Sequence, residues 1–173
     1  MGHRLSILIV LAAGACGAPV TPRPPPAVAP PPTAPVPVPA IALSTLAGEH
    51  TELSRLANGR VALVSLWATW CESCAREMDA LNRLDDRTAT GRDAVVIGVD
   101  VGEEPAKVAE FARTRGLRYA QLVDEDFAFV DALGQRRVPS TLVVDRHGRI
   151  VFRGDALDGR SLEALRQAIA AGP

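Results

Sequence analysis

Residues 61–74 read VALVSLWATWCESC, and the interpretation of the whole chain starts from this stretch. Its first seven residues are almost all apolar, which is typical of a central strand covered on both faces. Cys71 and Cys74 follow, separated by two residues, and a charged amphipathic segment comes after them. We interpret the stretch as a buried strand that delivers two thiols to the first turn of a helix.

Two thiols at this spacing can close a small ring, so the pair can alternate between a dithiol and a disulfide. A helix N-terminus stabilises negative charge and favours loss of the proton from a cysteine placed there. Because the thiolate is the attacking species, Cys71 is predicted to attack a disulfide and Cys74 to resolve the mixed disulfide. Trp70, directly before Cys71, is predicted to shape the surface around the dithiol, whereas Trp67 is predicted to lie in the core.

A structural zinc site is the main alternative for two cysteines at this spacing. Such a site needs two further Cys or His ligands. The third cysteine of the chain is Cys16, and the three histidines, His3, His50 and His147, are isolated. Placement between a strand and a helix favours a redox pair over a purely structural disulfide. We therefore expect no metal and no cofactor other than the redox-active disulfide.

The overall composition is that of one domain with appendages. The chain has 173 residues and a formal net charge of −1. The length suits a single domain, and no basic stripe with interleaved aromatic residues suggests nucleic acid as a partner. No cofactor-binding glycine loop, catalytic Ser/His/Asp set or nucleotide motif is recognisable either. The domain is expected to act as a monomer.

Residues 1–15 are predicted to be an export signal. A basic residue, an apolar core of about nine residues and a run of small residues follow in that order, and the core is too short to cross a bilayer as a helix. Residues 11–16, LAAGAC, resemble a bacterial lipoprotein box, which implies that Cys16 carries a lipid anchor. Ala13 stands where that box usually has leucine, and the small residues also suit ordinary signal cleavage at the same bond.

Residues 16–40 are predicted to comprise the lipid-anchor cysteine and a proline-rich tether. The tether holds eleven of the fourteen prolines, which favours an extended polyproline II conformation. At about 3.1 Å per residue, it would reach on the order of 60–70 Å from a membrane. A ligand for a proline-binding module is the alternative.

Residues 41–173 are predicted to form the folded domain. Apolar runs, turn residues and helical periodicity alternate along it. This order indicates a three-layer α/β domain with a mixed sheet, beginning with a short hairpin. The strands are predicted at residues 41–44, 50–53, 61–67, 94–99, 119–123, 140–144 and 149–152, and the helices at residues 54–57, 72–90, 105–115, 127–133 and from a cap at Ser161 onward.

Two sets of motifs resemble a known family. WATWC at residues 67–71 with Cys74, followed by VPST at residues 138–141, resembles the thioredoxin superfamily. ALSTLAG at residues 42–48 and TLVVDRHGRI at residues 141–150 resemble the TlpA/ResA group of exported, membrane-tethered thiol:disulfide oxidoreductases within it. The resemblance covers about residues 41–170. It implies a thioredoxin-like three-layer α/β/α domain with a mixed central sheet and an N-terminal edge hairpin.

The resemblance also implies roles for residues outside the cysteine pair. Pro139 would be a cis-proline that faces the dithiol, and Val138 would offer its backbone to a cysteine-containing strand of a partner, beside Trp70. From the residues alone, a trans-proline at the start of a strand is the alternative. Glu77 matches a glutamate that assists proton transfer in the TlpA/ResA group and would manage the proton of Cys74. A solvated helix charge is the alternative for Glu77.

The chain departs from the family pattern at several positions. Glu72 and Ser73 stand between the cysteines, where thioredoxin has Gly-Pro. The charge of Glu72 should oppose ionisation of Cys71, whereas Ser73 could donate a hydrogen bond to the sulfur. Ser65 stands in place of a buried aspartate of thioredoxin, and Asp79 in place of a proline usual in the TlpA/ResA group.

These observations predict an exported thiol:disulfide oxidoreductase that reduces disulfides in cysteine-containing exported proteins. It would be lipid-anchored in the cell envelope and face the periplasm, or be secreted or periplasmic if Cys16 carries no lipid. A membrane dithiol donor would be needed, because an oxidising compartment supplies no reductant. Cytochrome c maturation is the best-known task of the family, and envelope redox homeostasis is another.

Other functions stay open at this point. The same chemistry in reverse would make the protein an oxidant that introduces disulfides. A peroxiredoxin-like peroxidase would need a differently placed cysteine. A copper-delivery module on the same fold uses CxxxC and a distant histidine, for which His147 would be the candidate. A docking domain without catalytic activity is the last alternative, and the presence of both cysteines argues against it.

Overall fold

The computed structural model describes residues 34–91 and 93–172. The predicted export signal, Cys16 and most of the predicted tether lie outside the described residues. Within the described ranges, no helix combines the length and the apolar character that a membrane span requires.

The described residues form one mixed sheet with helices on both faces. The sheet order is β1-β8-β7-β4-β5-β6-β2-β3, in which β4 runs parallel to β5 and antiparallel to β7. The strands are β1 Val36–Pro37, β2 Leu43–Thr45, β3 His50–Thr51, β4 Val61–Trp67, β5 Ala94–Val101, β6 Ala120–Asp124, β7 Ser140–Val144 and β8 Arg149–Gly154, and the helices are α1 Leu53–Ala57, α2 Glu72–Gly91, α3 Pro105–Arg115, α4 Ala128–Leu133 and α5 Gly159–Ala170.

The central strand β4 is buried along its whole length, as its apolar sequence predicts. Alternate residues of β4 face opposite sides of the sheet. Val61 and Leu63 belong to an apolar cluster with residues of α2 and α5. Ala62, Val64 and Leu66 belong to a second cluster with residues of α1 and α4. The predicted three-layer arrangement, the mixed sheet and the N-terminal hairpin of β2 and β3 are therefore confirmed.

The sheet begins earlier than the sequence predicts. Val36 and Pro37, assigned to the tether, pair with β8, and the backbone N–H of Val38 donates to the carbonyl of Gly148 at 2.9 Å. Prolines alternate with valines over residues 35–39, so the valines keep their N–H groups for pairing. An edge strand tolerates proline because one side of it needs no donors. The paired sheet therefore extends about five residues before the predicted domain boundary at residue 41.

The last helix also begins earlier than predicted. Asp158, not Ser161, is the N-cap, and its carboxylate accepts hydrogen bonds from the backbone N–H groups of Arg160 and Ser161. The hydroxyl of Ser161 accepts in return from the backbone N–H of Asp158 at 2.9 Å, which completes a capping box. Ser161 is thus the third residue of α5, where its hydroxyl still serves the helix start.

Candidate redox site

Cys71 and Cys74 form a disulfide at the junction of β4 and α2, with their Cα atoms 5.3 Å apart. Cys71 directly precedes α2, and its carbonyl accepts from the N–H of Ala75 at 3.2 Å. Its sulfur accepts from the backbone N–H of Cys74 at 3.1 Å. Cys71 is therefore the N-cap of α2, with a sulfur where most caps have an oxygen. The predicted delivery of the pair to the first helical turn is confirmed.

This cap favours a negative charge on Cys71. The N–H of Cys74 points at the sulfur, and the helix N-terminus adds its own favourable field. The hydroxyl oxygen of Ser73 lies 3.4 Å from the same sulfur, within reach of the hydrogen bond that the sequence suggests. The side chain of Glu72 is 94% exposed and lies 3.7 Å from Arg76. Solvent and this cation weaken the opposition of Glu72 to ionisation of Cys71.

The two tryptophans occupy opposite environments, as predicted. Trp67 is 1% exposed, donates its indole N–H to the Oε1 of Gln121 at 3.2 Å and packs against the ring of Phe111. Trp70 is 69% exposed, although it directly precedes the buried Cys71. Most of the Trp70 ring is therefore accessible to solvent beside the cysteine pair.

Pro139 lies at the same end of the sheet as the disulfide, and its peptide bond with Val138 is cis. It directly precedes β7, whose first residue, Ser140, pairs with Leu66 near the end of β4. Val138 packs against the apolar cluster that contains both cysteines. The fold therefore brings the predicted substrate-binding residues to the dithiol, and their contact with a substrate stays a prediction.

Glu77 follows Cys74 by three residues on α2 and is partly buried. Its Oε1 accepts from the backbone N–H of Leu157 at 3.3 Å, and its Oε2 is buried without a hydrogen-bond partner among the described residues. Burial is the main cause that raises the pKa of Glu77, and the nearby Asp158 adds to it, while the N–H of Leu157 acts against it. This environment is unlike that of a solvated helix charge. Its role in proton transfer stays a prediction.

Two acidic residues that lie behind the cysteines were not predicted from the sequence to belong to the site. The first, Glu103, lies just after β5, and its side chain is 4% exposed. It accepts from the backbone N–H of Thr69 at 2.6 Å, from the hydroxyl of Thr69 at 2.7 Å and from the ammonium of Lys107. Burial opposes ionisation of Glu103, but the bonds from Lys107 and Thr69 outweigh it and hold the pKa below its usual range.

The second, Asp100, lies within β5, opposite Trp67 in the strand register. It is fully buried, and neither carboxylate oxygen accepts a hydrogen bond from a donor among the described residues. Its carboxyl lies within hydrogen-bonding reach of the Glu103 carboxylate, to which it can donate when protonated. Burial, together with Glu103, raises the pKa of Asp100 to about 8, while Lys107 acts weakly in the opposite direction. An acid inside an apolar strand sequence is the signal that could have revealed it.

Gly102 allows the chain to turn between these two acids. Its φ is +80°, a conformation that strongly favours glycine, and a Cβ placed there would lie 2.2 Å from the ring of Phe127. The turn follows β5 immediately and returns Glu103 toward the end of β4. Because β4 and β5 are parallel, their carboxyl ends meet at one edge of the sheet. Glu103 and Thr69 meet at this edge.

The Redoxin family model matches residues 33–167, most of the chain. The chain belongs to the Redoxin family.

Curated relatives of this Redoxin-family chain include disulfide-exchange proteins. It is 31% identical over 109 residues to the thiol-disulfide oxidoreductase ResA of Halalkalibacterium halodurans, which covers 63% of this chain and 61% of that protein. It is 33% identical over 110 residues to the thioredoxin-like protein YneN of Bacillus subtilis, covering 63% and 64% of the two. The chain thus spans a little under two thirds of the length of these relatives.

Solved structures confirm the thioredoxin-like fold. A secreted thiol-disulfide isomerase from Corynebacterium glutamicum superimposes with a TM-score of 0.66 at 23% identity, covering 77% of this chain and 85% of that one. A thiol:disulfide interchange protein of the thioredoxin family from Chlorobium tepidum gives 0.63 at 22% identity, covering 79% and 98%.

The Redoxin-family fold gathers the predicted site from three parts of the chain. The cysteine pair, Trp70 and Glu77 come from the β4–α2 junction and α2, and the segment before β7 brings the cis-proline. Cys16 lies outside the described residues. Within the described ranges, no three His, Cys, Asp or Glu side chains are grouped so that they could hold a metal ion.

Proposed function

We propose that the protein is an exported thiol:disulfide oxidoreductase that reduces disulfides in cysteine-containing proteins. The observation that carries disulfide exchange as the reaction is the position of Cys71 as the N-cap of α2, where its sulfur accepts the N–H of Cys74 and is already bonded to the Cys74 sulfur. The ResA relatives, named thiol-disulfide oxidoreductases, support this class of reaction.

The reaction transfers two electrons and two protons from the dithiol to the substrate. The Cys71 thiolate attacks one sulfur of the substrate disulfide, forms a mixed disulfide and releases the other substrate sulfur as a thiolate, which takes up a proton. Cys74 then loses its proton and attacks the Cys71 sulfur. This second step releases the remaining substrate thiolate and leaves the Cys71–Cys74 disulfide. In this proposal Glu77 accepts the proton of Cys74, since burial raises its pKa and it stands one turn along the helix.

The substrate would bind across the exposed ring of Trp70 and the segment at Val138 and Pro139. An extended substrate strand would pair with the backbone of Val138, whose side chain packs against the apolar cluster that contains both cysteines. Main-chain pairing tolerates many side chains, which suits an enzyme that acts on several exported proteins. Apocytochromes c are one substrate class in this proposal, and other envelope proteins with cysteines are another.

We also propose that the protein is located in the cell envelope. The apparent export signal and Cys16 would direct it there and attach it through a lipid. The ResA relatives and the secreted isomerase with the same fold are in keeping with an exported protein. Metabolic labelling with a radioactive fatty acid tests the anchor. Label on the wild type but not on Cys16→Ala would support it, and no label on either protein would contradict it.

A membrane dithiol donor would have to regenerate the reduced pair. The equilibrium reduction potential of Cys71–Cys74, titrated against glutathione and dithiothreitol, tests the direction of the reaction. A value near that of thioredoxin, about −270 mV, or lower is expected for a reductant. If no disulfide formed at any ratio of the redox buffer, the proposed function would be wrong.

An oxidant that introduces disulfides is the second candidate, and one observation favours it. The N–H of Cys74 and the hydroxyl of Ser73 both lie near the Cys71 sulfur and would stabilise its thiolate. A stabilised thiolate favours the reduced form and makes the disulfide more oxidising. A measured potential near about −120 mV would select this candidate over the first.

A further inference from the structure

Two buried carboxyl groups lie behind the loop that carries the cysteines, and among the described residues one positive charge, that of Lys107, acts on both. Asp100 is fully buried, and the side chain of Glu103 is nearly so. Lys107 contacts Glu103, while its own side chain is 61% exposed. Two carboxylates in one poorly solvated place repel each other strongly, so such a pair retains a proton.

The hydrogen bonds decide which of the two groups keeps the proton. Glu103 receives three donors, two from Thr69 and one from Lys107, and these stabilise its charged form. Asp100 receives none among the described residues. A carboxyl group without donors gains most from staying neutral. The proton therefore resides on Asp100 and the negative charge on Glu103.

The charged partner holds the loop of the redox site. Thr69 stands two residues before Cys71, and both its backbone N–H and its hydroxyl bind Glu103. The preceding residue, Ala68, is buried beside both cysteines, and its carbonyl accepts the N–H of Cys71 at 3.1 Å. A displacement of Thr69 would thus reach the Cys71 backbone through a single turn.

We propose that Asp100 and Glu103 are a pair of positioning residues that share one proton and hold the loop before Cys71 through Thr69. The link to disulfide exchange rests on the proposed function, whereas the pair itself does not. Ionisation of Asp100 places a second negative charge beside Glu103 and removes any hydrogen bond that the protonated carboxyl donates to it. The loop is then held less firmly, so the reactivity of the disulfide depends on a group that acts through Glu103 and Thr69.

Few of the described ionisable groups influence the titration of Asp100. Its register partners, Trp67 on β4 and Val123 on β6, are not ionisable. Asp124, next on β6, directs its carboxylate to the backbone N–H groups at the start of α4, at 3.0 Å each. Among the described residues, Glu103 and Lys107, which follow on the α3 side, are the ionisable groups that act most on Asp100.

The oxidised protein provides the first test, because disulfide-bonded cysteines do not titrate. NMR follows the Thr69 amide and the Asp100 carboxyl carbon between pH 5 and 10. Both resonances are expected to change together, with a midpoint near pH 8. The Thr69 transition should disappear in Asp100→Asn, which keeps the shape but cannot ionise. It should persist in Glu110→Gln, a matched change on the exposed face of α3.

Two outcomes would contradict the proposal that Asp100 and Glu103 share a proton and hold Thr69. One is a Thr69 amide in the wild type that does not titrate in this range. The other is a Thr69 transition that persists unchanged in Asp100→Asn. The first of these needs no variant and does not depend on whether a substitution folds. Since the protein stays oxidised, both results stand whether or not it reduces other proteins.

The second test measures reactivity. The rate of reduction of the Cys71–Cys74 disulfide by dithiothreitol, divided by the concentration of the reductant thiolate, is followed against pH. The corrected wild-type rate should rise severalfold through pH 8, as the loop loosens, and Asp100→Asn should show no such rise. Identical profiles would contradict the link to reactivity. If the wild type shows this rise but fails to reduce any protein disulfide, the proposed function is contradicted. The proposed role of Asp100 and Glu103 is not.

Discussion

At the scale of single residues, the polar groups around the cysteines can be tested directly by substitution. Cys71 has a donor from the backbone and a hydroxyl within reach, and its acidic neighbour Glu72 faces solvent. Behind it, buried acids are either bonded, as Glu103 is, or neutral, as we infer for Asp100. Each arrangement has a measurable consequence.

Asp100→Asn should make the protein more stable in alkaline solution. The raised pKa of Asp100, about 8 against 3.8, means that the folded protein binds this proton more tightly than the unfolded chain does. The stability contributed by this proton is complete below about pH 4 and is lost as the pH rises through about 8. About four pH units at about 1.4 kcal/mol each set an upper limit of about 6 kcal/mol on the loss.

Urea unfolding of both proteins at pH 5 and at pH 9 checks this prediction. The advantage of Asp100→Asn over the wild type should grow between the two pH values, because only the wild type loses the stabilising proton. Glu110→Gln serves as the control and should show no such growth, since its side chain is exposed. A constant difference between the wild type and Asp100→Asn would show that Asp100 does not titrate in this interval.

Glu77→Gln should slow the resolving step and change its pH profile. The carboxylate is partly buried with a raised pKa, and a glutamine cannot accept the proton of Cys74. A general base typically contributes about 10²–10⁴-fold, and we expect the low end, about 10²-fold, for a group that is only partly buried. Stopped-flow measurement of mixed-disulfide resolution tests this. The exposed Asp79→Asn on the same helix is the control, and equal profiles for all three proteins would exclude the role.

Ser73→Ala should raise the pKa of the Cys71 thiol and make the pair more reducing. The Ser73 hydroxyl lies 3.4 Å from the Cys71 sulfur and can donate to the thiolate. Loss of such a bond corresponds to about 0.5–1.5 kcal/mol, or up to about one pH unit. Ultraviolet titration of the thiolate measures the change. Ser73→Thr retains the hydroxyl and should remain near the wild type, and a pKa unchanged in Ser73→Ala would contradict the bond.

At the scale of secondary structure, each element that bears on the site has an identifiable cause. Strand β4 is central because it has apolar residues on both faces, and α2 begins where Cys71 caps it. Gly102 turns the chain sharply after β5, so Glu103 returns to the end of β4. Strand β1 pairs with β8 at the edge of the sheet, where the prolines around Val36 and Val38 leave the N–H groups of these valines available to donate.

The edge strand β1 provides a prediction with an internal control. Val38 is partly buried against the core cluster beside α1 and α4, whereas Val36 is 48% exposed. Val38→Ala should lower the free energy of unfolding by about 1 kcal/mol, because it removes buried methyl groups. Val36→Ala should change it by less than about 0.5 kcal/mol. Chemical denaturation of both variants measures the difference, and equal effects would show that the edge does not pack as described.

At the scale of the whole molecule, the fold assembles one reactive surface from distant parts of the chain. The carboxyl end of β4 presents the cysteines and Trp70, the segment before β7 presents the cis-proline, and the turn after β5 supports the loop from behind. The pairing of β4 with both β5 and β7 brings these segments together. On this surface the exposed Trp70 lies beside a largely buried cysteine pair.

This arrangement predicts different behaviour for the two single-cysteine variants. Cys74→Ser should accumulate a mixed disulfide with a peptide disulfide, because the resolving thiol is missing. Cys71→Ser should not, because Cys74 is the more deeply buried of the two, 3% exposed against 6%, and lacks the position at the helix cap. Mass spectrometry of the adducts checks the difference. Equal adduct yields would contradict the assignment of Cys71 as the attacking thiol.

Much of this organisation follows from local sequence. The apolar run before the cysteines and the helical periodicity after them place the dithiol correctly, because burial and helix capping depend on nearby residues. Cys71, Cys74, the exposed Trp70 and the buried Trp67 were predictable on this basis. The cis bond at Pro139 and a position of Glu77 near the dithiol were expected only from the resemblance to the thioredoxin superfamily and its TlpA/ResA group. The proline-rich composition of residues 16–40 predicted a tether without paired strands, and strand β1 lies within that range.

The sequence by itself determined the order of elements, the central strand and the cysteine pair at a helix start, since each depends on interactions between residues close in the chain. Only the tertiary structure decided that Glu103 accepts two hydrogen bonds from Thr69 and that Asp100 has no donor among the described residues. Those facts arise where the ends of two parallel strands meet, more than thirty residues apart in the chain. The free energy of ionising a buried carboxyl group depends on the groups that surround it in space. The periodicity of a single segment gives no information about those groups.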